Sequence, residues 1–149
     1  MELIEGGVSL QVGTRDAKLR PEVLRAVGVA VGPDRTTLTV YLPAQLAERT
    51  IANLEDNGEL ALTFSHVIDH RTMQLKGKLV SLRRSRRNEK AIQERWLAAF
   101  AEQLHMVGFS RRTALRLRYW PSVAVEVALR DVFVQTPGPG AGRRLEGSA

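Results

Sequence analysis

The sequence predicts a mainly β (α+β) protein: six antiparallel strands closing into a small barrel, with two main helices between them. Three observations lead there. Segments of apolar–polar alternation recur along most of the chain. Turn-forming residues separate several of them at spacings too short for a parallel crossover. Only two segments hold a helical period over several turns. An open sheet covered by helices on one face satisfies the same pattern.

Val8 to Val12 alternates and reads as the first half-buried strand, ended by a turn at Gly13 to Asp16. Pro21 limits the segment that follows. Val27 to Val31 is the second strand, closed by the strong turn Gly32-Pro33-Asp34. Thr36 to Leu42 is rich in β-branched residues and makes the third. Pro43 stops it, and Leu46, Ala47, Ile51 and Leu54 then share one face of a helix that Gly58 ends. Leu60 to Phe64 and Arg71 to Val80 are strands four and five. In the latter, Met73, Leu75 and Leu79 take one face, and Thr72, Gln74, Lys76 and Lys78 the other. A second helix is predicted from near Asn88 to Met106, with Ile92, Trp96, Leu97, Phe100 and Leu104 as its apolar stripe. Val123 to Leu129 alternates as the sixth strand, and Asp131 to Val134 continues it beyond a bulge.

The 149 residues suit one domain, taken as 1–136, followed by a Pro/Gly-rich tail, 137–149. From Gln135 to Gly142 the prolines and glycines break both periods, so neither helix nor strand is expected there. Such a tail either covers a neighbouring subunit or moves freely. No apolar run is long enough to span a bilayer. No secretory signal is read at the amino end, so a cytoplasmic location without a membrane partner is expected. The absence of cysteine excludes disulfides, thiolate nucleophiles and cysteine-ligated zinc. A net charge of +6, with 18 of the 22 basic residues arginine, favours anionic partners without choosing among them.

The order of elements from Leu38 to Gly77 resembles the FMN-binding split β-barrel proteins related to pyridoxamine 5'-phosphate oxidase. It comprises a strand ending at Leu42-Pro43, a helix carrying Arg49-Thr50 and Leu54 to Gly58, the strand Leu60 to Phe64, and Arg71 to Gly77. The resemblance extends back through Val8 to Asp16 and Pro21 and covers most of the chain. It implies a homodimer with FMN in clefts at the subunit interface, acting as a flavin-dependent oxidoreductase on an unidentified small molecule. In that family a basic pair early in the first helix holds the FMN phosphate, and here the pair maps to Arg49-Thr50. An arginine fork reaches two phosphate oxygens and a hydroxyl donates a further bond. A solvated Arg49 and a helix-face Thr50 give the same sequence. Arg25 falls where the family often has another phosphate-facing arginine, though a surface arginine reads alike.

In the Arg71 to Gly77 strand the family sets a polar side chain against the flavin, which maps to Thr72, with Gln74 on the same face. A Gln amide carries both a donor and an acceptor for the flavin's pyrimidine edge. With a flavin in that place, Lys76 on the same face would stabilise the negative charge of its reduced form. The bland counterpart is an outward polar strand face. Trp120 is the candidate aromatic that a partner subunit lays over the cofactor, against the simpler role of a buried core or interface tryptophan. An incomplete basic pair, a short chain and no carboxy-terminal Arg-rich segment argue against vitamin B6 oxidation. No catalytic acid or base is named, because a bound flavin carries the chemistry itself.

Two alternatives stand beside this reading. A heme-binding relative of the same fold needs an axial ligand, for which His66, His70 and His105 are the candidates. A basic nucleic-acid-binding module would use the run Arg83-Arg84-Ser85-Arg86-Arg87. Aromatic residues at 5% leave few rings for base stacking, so nucleic acid is not the expected partner. His66, Asp69 and His70 are metal-binding types at short spacing, but they fall between two strands, no HExxH pattern, nucleophile elbow or phosphate loop is present, and no metal site is expected.

Overall fold

The computed structural model describes residues 2–145. It contains seven strands in one antiparallel sheet: β1 (Ser9–Arg15), β2 (Pro21–Arg25), β3 (Val29–Val31), β4 (Thr37–Pro43), β5 (Glu59–Ser65), β6 (Thr72–Arg84) and β7 (Ser122–Val134). Their order across the sheet is β2-β1-β5-β6-β7-β4-β3. Four α-helices accompany them, α1 (Glu2–Glu5), α2 (Glu48–Asn57), α3 (Lys90–Met106) and α4 (Arg111–Leu115), with a 3-10 turn at Arg87–Glu89 leading into α3. The predicted antiparallel split barrel with two main helices is the observed fold.

The strand count is seven rather than six, because Pro21 begins a strand instead of preventing one. Proline has no N–H to donate, and the first residue of an edge strand is where that loss is tolerated. β2 pairs with β1 from Arg15↔Pro21 to Gln11↔Arg25. Asp16 builds the turn between them, its Oδ1 accepting the N–H groups of Lys18 and Arg20 at 2.9 Å each.

The ladder of hydrogen bonds is not closed, since β2 and β3 do not pair. They are instead successive parts of one run that changes partner between adjacent residues. Ala26 donates its N–H to Leu10 O at 3.1 Å, and Val27 donates to Tyr41 O at 2.8 Å. One crossing segment therefore ties β1 to β4, which stand one strand in from either end of the sheet order. Barrel-like enclosure is achieved without a continuous ladder.

Alternation on β1, β4 and β5 sends Leu10, Val12, Leu38, Val40, Leu62 and Phe64 into one core. Leu54 of α2 and the stacked pair Trp96–Phe100 of α3 close over it. Gly58 ends α2 at φ 70°, with its N–H on Leu54 O, as the sequence predicts. β6 is longer than expected, whereas β7 runs as expected through a bulge, and each carries an irregularity. Lys76↔Asp131 is followed by Gly77↔Leu129, which leaves Arg130 as the extra residue. A Cβ on Gly77 would lie 2.5 Å from Ala128 O, so only glycine fits this approach.

The tail makes turns from Pro139 to Gly142, and then returns to its own strand. Val134 N–H bonds to Arg143 O at 2.9 Å, and Leu145 N–H to Val132 O at 2.8 Å. Residues 146–149 lie outside the described part.

Candidate functional site

The outward face of β2, β1, β5, β6 and β7 is largely polar, and strand register arranges it in rows. Arg25, Gln11, Thr63, Gln74 and Phe133 are successive cross-strand partners and form one line. At about 4.8 Å between strands, Arg25 and Gln74 are about 14 Å apart along it. On one side runs a hydroxyl row of Ser9, Ser65 and Thr72. On the other run Gly13, Ala61, Lys76 and Asp131. Gly13 and Ala61 give this row a low floor, and a cavity of about 340 Å³ lies against them, Lys76 and Arg130.

Local bonds set the side chains of this face. Gln74 Nε2 reaches Thr63 Oγ1 only at 3.5 Å, a long contact that leaves most of its amide bonding capacity open. Thr72 Oγ1 donates to Ser65 Oγ at 3.1 Å. Lys76 Nζ stands 4.8 Å from the Phe133 ring centroid. Arg25 Nη1 donates to Ser9 Oγ at 3.2 Å, and its guanidinium lies 5.5 Å from the Phe100 ring centroid. Burial lowers the Arg25 pKa from its ordinary value, yet a guanidinium keeps its charge at any physiological pH.

Four of the seven candidates, Arg25, Thr72, Gln74 and Lys76, thus share one face. The other three lie elsewhere in the same chain. Arg49 is exposed on α2 and pairs with Glu22 at 3.2 Å. Glu22 stands opposite Thr14, a residue of the inward face of β1. Thr50 is 1% exposed, and its Oγ1 has no hydrogen-bond partner among the described residues. Trp120 precedes the first residue of β7, whereas Phe133, beside Gln74, is near its last. That is roughly 40 Å of extended strand. Trp120 lines a small cavity with Val27, Gln93 and Leu97 instead.

Sequence reading missed Gln11, Thr63, Ser9 and Ser65, the polar residues alternating with core positions on β1 and β5. The alternation was visible, but cross-strand register was not. It also missed Arg144, which bridges back to Phe133 and pairs with Asp131 at 2.5 Å.

Two of the three histidines make local bonds. His66 Nδ1 bonds to Asp69 Oδ1 at 2.7 Å, and His105 Nδ1 lies 3.3 Å from Phe109 O. Among the described residues no group of three or more metal-binding side chains forms. The basic run is divided as well, because Arg83 is engaged by Glu89 at 2.6 Å.

The fold that carries this face is shared with solved structures. HupZ of Group A Streptococcus superposes with a TM-score of 0.57 at 18% identity, covering 95% of this chain and 94% of that one. An FMN-binding protein from Syntrophomonas wolfei matches at 0.52 and 12%, covering 89% and 85%. A candidate pyridoxamine 5'-phosphate oxidase from Lactobacillus delbrueckii matches at 0.56 and 13%, covering 90% and 93%. The fold is that of the FMN-binding split β-barrel. No protein-family model and no curated protein matches the sequence, so the likeness is one of architecture. Within this split-barrel architecture no described helix is long and apolar enough to cross a membrane.

Proposed function

We propose that this protein binds FMN on the outward face of β1, β5 and β6 and acts as a flavin-dependent oxidoreductase on an unidentified small molecule. The observation that carries the reading is the row Arg25–Gln11–Thr63–Gln74 beside the low floor of Gly13 and Ala61. The donor set fits a flavin. Gln74 offers an amide for the ring's pyrimidine edge, and the small side chains leave room for a planar group. Arg25 offers a fork for the phosphate. When bound, the flavin supplies electron transfer. The protein's share is to orient the ring and, through Lys76, to favour the anionic reduced form.

Thr50 does not join this set, because its hydroxyl is buried. Arg49 and Trp120 join it from a second copy. Trp120 lies too far along β7 to reach the Gln74 face of its own chain, so a homodimer with clefts between subunits is part of the proposal. The likeness in fold to an FMN-binding protein supports the reading, and a cytoplasmic location goes with it.

An ultraviolet–visible spectrum of the purified protein, repeated after adding FMN and removing the excess, tests this. Two flavin bands that stay with the protein are expected. A Soret band would transfer the assignment to heme, and a colourless protein retaining neither would overturn it. Sedimentation of a flavin-loaded monomer at micromolar concentration would remove the dimer.

A further inference from the structure

We propose that the corner between α3 and α4 docks this protein onto anionic lipid bilayers. Residues 106–118 contain four arginines and no acidic residue. Within the same stretch Met106 is 71% exposed and Phe109 54%, and Val107 and Leu115 are also exposed. A single exposed leucine is ordinary on a protein surface, but four large exposed apolar side chains within ten residues concentrate apolar surface at this corner.

The backbone holds that corner in place. Phe109 N–H bonds to Leu104 O at 2.9 Å, and Ser110 Oγ accepts the Thr113 N–H at 3.2 Å. Arg111 forks onto Glu102 with two bonds of 2.7 Å, pinning α4 to α3. Ala114 is the buried anchor of α4. Arg112, Leu115 and Arg116 are three and four residues apart and share an exposed side. Among the described residues no carboxylate pairs with Arg112, Arg116 or Arg118.

The occupant follows from having both chemistries on one corner. Nucleic acid offers phosphates but no apolar phase for Met106 and Phe109. A twofold-related copy would bring two such unneutralised arginine sets together. An anionic bilayer offers a charged surface to the arginines and an acyl boundary to the apolar tips. The protein would rest on the bilayer without spanning it.

Vesicle flotation of the full chain tests the proposal, comparing phosphatidylcholine alone with phosphatidylcholine mixed with phosphatidylglycerol. Capture by the anionic vesicles and release by high salt are expected. Replacing Arg112→Gln and Arg116→Gln together should lower partitioning about tenfold or more. Met106→Ser with Phe109→Ser should also lower it, and circular dichroism should show the fold intact, since both sites are exposed. Equal capture by neutral vesicles, or capture by neither kind, overturns the proposal. So does a result in which only the arginine variant loses binding, which is the pattern of a phosphate-only ligand. Dissociation of a dimer by the serine variant would assign the corner to a second copy and overturn it likewise.

Discussion

Arg83 holds Glu89 through two guanidinium bonds, Nη2 to Oε1 at 2.6 Å and Nη1 to Oε2 at 2.8 Å. The same carboxylate accepts the Arg86 backbone N–H at 2.6 Å and the Tyr41 hydroxyl at 3.3 Å. Glu89 thereby ties the end of β6, the start of α3 and the core strand β4 together. The Arg83 bonds and the Arg86 N–H hold its carboxyl down at about 2, against an ordinary 4.5. Desolvation and the Glu89 charge push the Tyr41 hydroxyl up to about 12.

Glu89→Gln should cost about 2 kcal/mol at neutral pH, the scale of a charge-assisted hydrogen bond. The sign in pH follows from the depressed carboxyl. Its contribution is complete above the unfolded value near 4.5 and declines as pH falls toward 2. Urea denaturation across that window should show a shallower acid limb in the variant. An identical acid limb would mean that this carboxylate is not what couples stability to pH there.

Gln74→Ala should raise the dissociation constant for FMN about threefold to tenfold, the worth of one ordinary hydrogen bond. Arg49→Ala should weaken it by about 1–3 kcal/mol if the second copy brings that guanidinium to the phosphate. Fluorescence titration measures both. An unchanged affinity for Gln74→Ala, with the fold intact, would remove this residue from the ring contact.

Thr50→Val tests the buried hydroxyl in the opposite sense. Oγ1 has no partner among the described residues, so a methyl in its place removes an unsatisfied polar atom. The variant should be as stable as the parent or up to about 1 kcal/mol more stable. Thermal unfolding without ligand is the measurement, and a clear loss would show that the hydroxyl has a partner after all.

Gly77→Ala should destabilise by about 1–3 kcal/mol, as an overpacked core position does. The added Cβ would meet Ala128 O at 2.5 Å and Val127 Cγ1 at 2.6 Å, so the backbone of the neighbouring strand would have to shift. Because Gly77 adjoins the bulge beside Lys76, FMN affinity should fall with stability. Denaturation and titration of one preparation separate the two effects.

Much of this was legible in local chemistry. Gly58 announced the end of α2, and Asp34 the turn before β4, where its carboxylate accepts the N–H groups of Thr36 and Thr37 at 3.2 Å each. Alternation on β6 separated Thr72, Gln74 and Lys76 from Met73 and Leu75, and the structure keeps them on opposite faces. β2 was not legible, because its five residues begin with proline and hold no clean alternation. Thr50 was mapped to the phosphate through the resemblance alone, and in sequence a helix hydroxyl reads the same whether it faces solvent or core.

The sequence by itself determined the strand and helix periods, the turns and which side chains share a face of each strand. These are properties of neighbours a few residues apart, fixed by backbone sterics and side-chain alternation. Only the tertiary structure decided that Gln74 stands in line with Thr63, Gln11 and Arg25, or that the chain leaves β1 for β4 between Ala26 and Val27. Register and partner exchange depend on long-range pairing, in which shifting a strand by one residue would turn its core face outward. The cost of that shift is borne by the whole buried core, so no single segment encodes it.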